Sequence, residues 1–202
     1  MLLQGLYDRF KKDKPLRFRD AVDLDIFKTK VDPRKRDPFT VLVPLRDHPS
    51  KGTKYAIEAM GMLRKKSDRY RFIGYGNLSR ELIPDYVEYY YKPTNRELSD
   101  IYNKASIFIY TSLVEGFASP PLEAMASGCA AVIADSIGMR EYAKSNFNSI
   151  IVPIKNPVSM AKAVSRLTKD IAFKNRLAMN GIGTAKKFGY EGMYKSFGSL
   201  FE

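Results

Sequence analysis

Short apolar runs alternate with amphipathic stretches through the middle of the chain. The runs are Phe39–Val43, Tyr70–Ile73, Tyr86–Tyr91, Ile107–Tyr110, Ala130–Ala134 and Ser149–Val152, each of four to six residues. They are rich in β-branched and aromatic side chains, and most lack the polar alternation of a strand wetted on one face. Strands of this kind belong to parallel sheets buried on both sides. Helical patterns fill the intervals. Lys54–Lys65 places Ile57, Met60 and Leu63 on one face, and Thr94-Asn95-Arg96-Glu97 is a capping box ahead of a helix through Lys104. Pro120–Ser127 reads as a short helix ended by Gly128, Asn156-Pro157 opens a helix to about Lys169, and Ile171–Lys187 forms another. This alternation predicts an α/β fold, a Rossmann-like parallel sheet of about six strands flanked by helices, which binds ligands beyond the carboxyl ends of its strands.

The two ends read differently from the middle. Residues 1–36 form a basic segment punctuated by Pro15 and Pro33, expected as a frayed helix followed by a linker. Residues 37–189 hold the strand–helix alternation and constitute the expected ligand-binding domain. In 190–202, Met193, Tyr194, Phe197, Leu200 and Phe201 recur at helical spacing, so a terminal helix would present an apolar face that needs a partner.

Charge sharpens this division. The chain of 202 residues carries a formal net charge of +12. Residues 1–36 have 11 Lys/Arg against 6 Asp/Glu and residues 155–202 have 9 against 3, whereas the middle has 14 against 13. Basic ends on a near-neutral domain fit either solvated faces or an anionic membrane surface. Nucleic acid is not an expected partner, because no recognition motif and no interleaving of aromatic with basic residues occurs. No apolar run approaches the roughly 18–20 residues that span a bilayer, and no signal-peptide pattern opens the chain. The single cysteine, Cys129, starts an apolar run and reads as a buried thiol; it fits a reducing compartment, so the expected location is cytoplasmic, peripheral at the inner face of a membrane if the basic ends act there. A lone histidine, His48, and the lack of any Cys/His spacing leave no metal site to expect.

The chemistry concentrates between Glu115 and Glu123, in the segment Glu-Gly-Phe-Ala-Ser-Pro-Pro-Leu-Glu. Ser119 is placed to cap the helix that follows, and Pro120 and Pro121 suit its first turn, where a missing N–H costs least. The amides of Phe117, Ala118 and Ser119 would then face an anion at the helix's positive end. Two acids beside a phosphate site make sense for a sugar nucleotide, whose hydroxyls they would accept while amides hold the diphosphate. Arg46 and Lys51 lie on the loop after the first strand, five residues apart, and can converge on the same diphosphate as a fork and a point charge. Tyr91, Lys92 and Pro93 end the third strand at the same sheet edge, where a flat base could stack. Each feature has a plainer counterpart: cations solvated on a loop, tyrosines filling the core, Glu123 stabilising a helix N-terminus, and Gly74-Tyr75-Gly76 making a tight turn.

Taken together these motifs resemble glycosyltransferase family 4, retaining enzymes of GT-B fold that use nucleotide-sugar donors. Glu115 to Glu123, followed by Ala-Met-Ala-Ser-Gly, is similar to that family's E-x7-E element, and Arg46 to Lys51-Gly52 to its R-x(4–5)-K-G element. Asp23-Leu24-Asp25-Ile26-Phe27 looks like the lead-in to the C-terminal domain, and Phe188-Gly189-Tyr190-Glu191 like the closing segment. The resemblance spans about residues 20–202 and implies the C-terminal, donor-binding half of a GT-B fold. It further implies that Arg46 and Lys51 hold the diphosphate and stabilise the leaving group. Glu115, with the amides of Gly116 and Phe117, would orient sugar hydroxyls. Amides near Ala118, Ser119 and Leu122 would touch phosphate, and Glu123 would hold the ribose. No cofactor and no metal are implied; the donor would be a UDP- or GDP-sugar, and the acceptor a polysaccharide, glycolipid or other glycoconjugate. Leu45 and Tyr91 stand where the family commonly has glycine. An acceptor-binding N-terminal domain, in cis or in trans, is an implied partner, and residues 190–202 would cross back onto it. Two alternatives stay open, a donor-side subunit of a two-chain transferase and another GT-B-like sugar-nucleotide enzyme.

Overall fold

The computed structural model describes residues 21–198. Six strands, β1 (Thr40–Leu45), β2 (Arg71–Gly76), β3 (Val87–Tyr91), β4 (Ile107–Tyr110), β5 (Ala130–Ala134) and β6 (Ser149–Val152), form one sheet in the order β3-β2-β1-β4-β5-β6. Every pairing is parallel. The helices are α1 (Thr53–Lys66), α2 (Asn95–Lys104), α3 (Ser119–Ala126), α4 (Pro157–Lys169), α5 (Ile171–Ala185) and α6 (Tyr190–Gly198). The Rossmann-like α/β architecture expected from the apolar pattern is therefore present. The helix expected near the N-terminus, together with Leu200 and Phe201, lies outside the described residues.

The pleat divides the core into two layers. Val41, Val43 and Leu45 of β1 face α1 and α4, whereas Leu42 faces α2 and α3. Helix α5 contributes to both, with Phe173 and Leu177 on the first side and Ala185 on the second. The capping box forms as read, the Thr94 hydroxyl accepting from the Glu97 amide and the Glu97 carboxylate accepting from the Thr94 amide. The helix expected over Ile171–Lys187 ends at Ala185 and tightens into a 3-10 turn over Lys186–Phe188.

β1 runs two residues beyond the expected Val43, through Pro44, because its partner β2 continues beside it with Pro44 opposite Tyr75 and Leu45 opposite Gly76. On its other side β1 pairs with β4 only at Val41 and Leu42. A proline is tolerated in this central strand because β4 has already separated from it there, leaving a free edge. The same divergence opens a crevice between the carboxyl ends of β1 and β4, where the direction of winding reverses and α/β sheets bind their ligands.

Residues 21–36 pack along the base of the sheet. The Val22 amide donates to Phe188 O at 2.8 Å, and Phe27 meets Tyr102 edge to face. Arg36 is buried without a carboxylate. Its guanidinium donates to the carbonyls of Val31, Tyr102, Ala105 and Ser127 and to Asn103 Oδ1, over 2.6–3.3 Å. Tyr102 and Ala105 close α2 and Ser127 closes α3, so one cation sits at the negative ends of both helices. Cys129 lies beside it, fully buried, its thiol pushed up to about 11 by that burial. Arg36→Met should lower unfolding free energy by about 3 kcal/mol or more, since several buried carbonyls lose their donor at about 1–3 kcal/mol each. Urea denaturation measures this; a loss under about 1 kcal/mol would show that other donors replace the guanidinium.

Candidate functional site

Two loops meet at the crevice and are sewn together. The Leu113 amide donates to Ser50 O at 2.7 Å, the Thr111 hydroxyl to Lys51 O at 3.0 Å and the Ser112 hydroxyl to Ser50 O at 3.1 Å. Gly52 lies between them with φ +65°, and a Cβ on it would fall 2.2 Å from Thr111 O. Only glycine fits both the conformation and the space. This contact brings Lys51, on the β1–α1 loop, against Glu115, on the β4–α3 loop.

Lys51 Nζ donates to Glu115 Oε1 at 2.9 Å. The Tyr110 hydroxyl donates to the same oxygen at 2.6 Å. The Glu115 side chain is 12% exposed. Burial pushes its carboxyl up, but the hydrogen bonds from Tyr110, Lys51 and Ser112 together outweigh that and hold it below the usual range. A third loop braces this segment from behind. The Gly138 amide donates to Glu115 O at 3.2 Å, and a Cβ at Gly138 would meet the carbonyl oxygens of Gly116 and Glu115 at 2.3 and 2.4 Å. A Cβ at Gly116 would instead point into open space.

Glu123 lies one turn into α3, and its environment differs from that of Glu115. The Tyr102 hydroxyl donates to Glu123 Oε2 at 3.1 Å and stands 2.8 Å from the Tyr75 hydroxyl. Burial raises the Glu123 carboxyl above its usual range, partly offset by bonds from Ser119 and Tyr102 and by the charge of Arg46. Ser119 does not cap the helix. Ala118 occupies the N-cap, Ser119 is the first helical residue, and its hydroxyl turns along the helix to Glu123 instead. No described group accepts a hydrogen bond from the Gly116, Phe117, Ala118 or Ser119 amides. Leu122 is the fourth residue of α3, the position whose amide is the first a helix satisfies internally.

Arg46 is half-buried at the end of β1. Its backbone is locked by Thr53, which accepts from Arg46 N at 3.0 Å and donates to Arg46 O at 2.8 Å. Its guanidinium forms no side-chain hydrogen bond or ion pair among the described residues, yet acts electrostatically on Glu123, Tyr110 and Tyr75. Arg46, Lys51, Glu115 and Glu123 therefore gather around one crevice. Tyr91, Lys92 and Pro93 lie at the end of β3, two strands from β1, and share no hydrogen bond or ion pair with these four among the described residues. Tyr91 is 61% exposed and borders a cavity of about 530 Å³ that it shares with Asp47, Asn77 and Arg80. The Lys92 amide, with φ 45° at that residue, donates to Gly76 O and turns the chain away from β3. A cleft of about 600 Å³ opens on the flank of α1 and includes Arg46 but neither acid. Asp47, Lys54 and Lys155 also line it, but most of its surface is apolar, with Ile57, Leu78, Leu82 and Leu113, and it lacks Glu115 and Glu123, so we place the polar chemistry in the crevice between those acids and the cations instead.

A sequence profile of the family described as "Glycosyl transferases group 1" matches residues 25–184. The chain belongs to this family. A D-inositol 3-phosphate glycosyltransferase of Streptomyces bingchenggensis is 28% identical over 109 residues, 54% of this chain and 24% of that relative. The C-terminal domain of LpcC, a glycosyl transferase group 1 protein of Francisella tularensis, superposes with TM-score 0.72 at 20% identity, covering 83% of this chain and 97% of that domain. Anabaena HepE, solved in complex with UDP-glucose, superposes with TM-score 0.75 at 16% identity, covering 89% of this chain and 55% of HepE. These likenesses show the fold, that of the C-terminal half of a GT-B glycosyltransferase. The chain spans about a quarter of the length of the curated relatives it matches first.

Tyr102, Tyr110 and Gly138 of this glycosyl transferase domain were not among the residues expected at the site, and Tyr75 was expected only within a tight turn, whereas it lies in β2. Tyr75 and Tyr110 lie near strand ends, Tyr102 in the last turn of α2 and Gly138 in a 3-10 turn, and only that position marks each. The tyrosine contacts generate a measurable contrast. Carbon-detected NMR titration should place the Glu123 midpoint above, and the Glu115 midpoint below, the ordinary glutamate value of about 4.3. Tyr102→Phe removes a donor to the charged form of Glu123 and should raise its midpoint further. Coincident midpoints for the two acids would contradict the geometry.

Proposed function

We propose that this domain binds the nucleotide-sugar donor of a retaining glycosyltransferase, one that transfers a sugar to a polysaccharide, glycolipid or other glycoconjugate. The observation that carries the reading is the convergence of two cations and two differently held carboxylates beside the unpartnered amides at the start of α3. Arg46 and Lys51 would hold the diphosphate and stabilise it as a leaving group while the sugar passes through an oxocarbenium-like state. The amides of Ala118 and Ser119, with the start of α3 near Leu122, would face phosphate. Glu115, with the amides of Gly116 and Phe117, would orient sugar hydroxyls, and Glu123 would hold the ribose. Tyr91 to Pro93, on the neighbouring strand end, would meet the base.

Side-chain cations and the helix N-terminus replace a metal in this scheme, so chelation with EDTA should leave donor binding unchanged. The acceptor would be supplied by a second domain, in cis or in trans, and this domain alone would transfer nothing. UDP- and GDP-sugars are the donors we favour; the UDP-glucose complex of HepE, a fold neighbour, supports the first. The surplus of positive charge toward the chain ends supports action at an anionic membrane face, and no described helix is long and apolar enough to cross one. Vesicles containing phosphatidylserine should bind the protein at low salt and release it at high salt. Absence of binding at low salt would remove the membrane assignment alone.

Calorimetric titration with UDP, GDP, ADP and dTDP tests the donor-site reading. At least one should bind, and Lys51→Ala should weaken that binding by about 1.5–3 kcal/mol, the scale of a hydrogen bond between charged groups. A folded protein that binds none of the four would contradict the proposal.

A further inference from the structure

We infer that Tyr110 is a positioning residue for the sugar subsite, holding Glu115 in place when Lys51 turns to the donor diphosphate. The inference rests on the donor-site reading and adds a residue to it. Two donors, Lys51 Nζ at 2.9 Å and the Tyr110 hydroxyl at 2.6 Å, converge on the single oxygen Oε1 of Glu115. They differ in mobility and in charge. Lys51 is a flexible cation on a loop, its side chain 28% exposed. Tyr110 is the last residue of β4, 3% exposed, with its ring stacked on Phe108 at 6.1 Å between centroids.

A diphosphate carries more negative charge than one carboxylate, so its arrival draws Lys51 away from Glu115, wholly or in part. Left with the Ser112 hydroxyl alone, whose single proton is also directed at Ser50 O, Glu115 would face the incoming anion as a weakly anchored negative charge. The Tyr110 hydroxyl prevents this. It is neutral, it is buried, and its one proton is already directed at Oε1, so phosphate does not compete for it. Glu115 thus keeps one oxygen fixed to the sheet and its orientation toward the sugar while the cation is shared.

Tyr110→Phe keeps the ring and removes only the hydroxyl. In calorimetric titrations with UDP, UDP-glucose, UDP-N-acetylglucosamine, GDP and GDP-mannose, the variant should weaken the sugar nucleotide that wild type prefers about tenfold more than the matching nucleoside diphosphate. The Glu115 midpoint should rise, because the charged form loses a hydrogen bond. Added to Glu115→Gln, the substitution should cause no further loss of sugar preference. Equal weakening of nucleotide and sugar nucleotide, or losses that add to those of Glu115→Gln, would assign Tyr110 to folding and overturn the inference alone. Failure of wild type to bind any of the five ligands would remove the donor-site reading and the inference with it. A melting curve for each variant separates these outcomes from unfolding.

Discussion

The close contact of Gly52 with the Thr111 carbonyl is the constraint on which the site depends. A parallel sheet whose winding reverses between β1 and β4 leaves the two strands free to diverge, and here they pair at only two positions. Something must then fix the loops that leave them. The absence of a side chain at residue 52 lets the β1–α1 loop rest directly on the end of β4, and three hydrogen bonds close the contact. Any Cβ there would meet a backbone oxygen at 2.2 Å and push the loops apart. Lys51 and Glu115 are neighbours as a consequence of this packing, and the ion pair reports the junction more than it creates it.

The same side chain is prepared in two states within one crevice. Glu115 is held charged, by a phenol, a cation and a serine hydroxyl that together exceed the cost of its burial. Glu123 is more deeply desolvated, and the neutral hydroxyls it receives offset that only in part, so it ionises less readily. A carboxylate of the first kind keeps full charge near anions because its neighbours compensate it. One of the second kind accepts hydroxyl hydrogen bonds in a drier setting, where each is stronger. The two acids eight residues apart thus occupy two electrostatic environments here, Glu115 bonded to Tyr110 on the sheet and Glu123 buried beside Tyr102 on α2.

The layers of the fold were legible because apolar runs and helical faces alternate, and β4, β5 and β6 match the expected bounds. The ends of β1 and β2 were less so. Pro44 argues against a strand by its missing N–H, and only the divergence of β4 shows why the strand continues. The candidate site was legible where spacing carries chemistry, in Arg46, Lys51, Glu115 and Glu123. The capping role expected of Ser119 failed for a local reason: with Ala118 at the N-cap, the hydroxyl lies one turn before Glu123 and bonds to it instead. The tyrosines escaped notice because in sequence they read as strand and helix core, which they also are. A phenol's polar tip becomes informative only when its partner's position is known. Arg36 likewise reads as one charge among many in a basic segment, yet it is buried at the base of two helices.

The central claim is that the acids, the cations and the amides at the start of α3 form one wall of a donor site. Mapping backbone amide shifts by NMR during titration with UDP and GDP tests it most directly. The account predicts that the largest changes fall in residues 46–52 and on the amides of Gly116 to Ser119, with smaller ones near Tyr91 to Pro93. Changes centred on the α1 flank around Ile57, Leu82 and Lys155, with residues 115–119 undisturbed, would place the ligand elsewhere and contradict it.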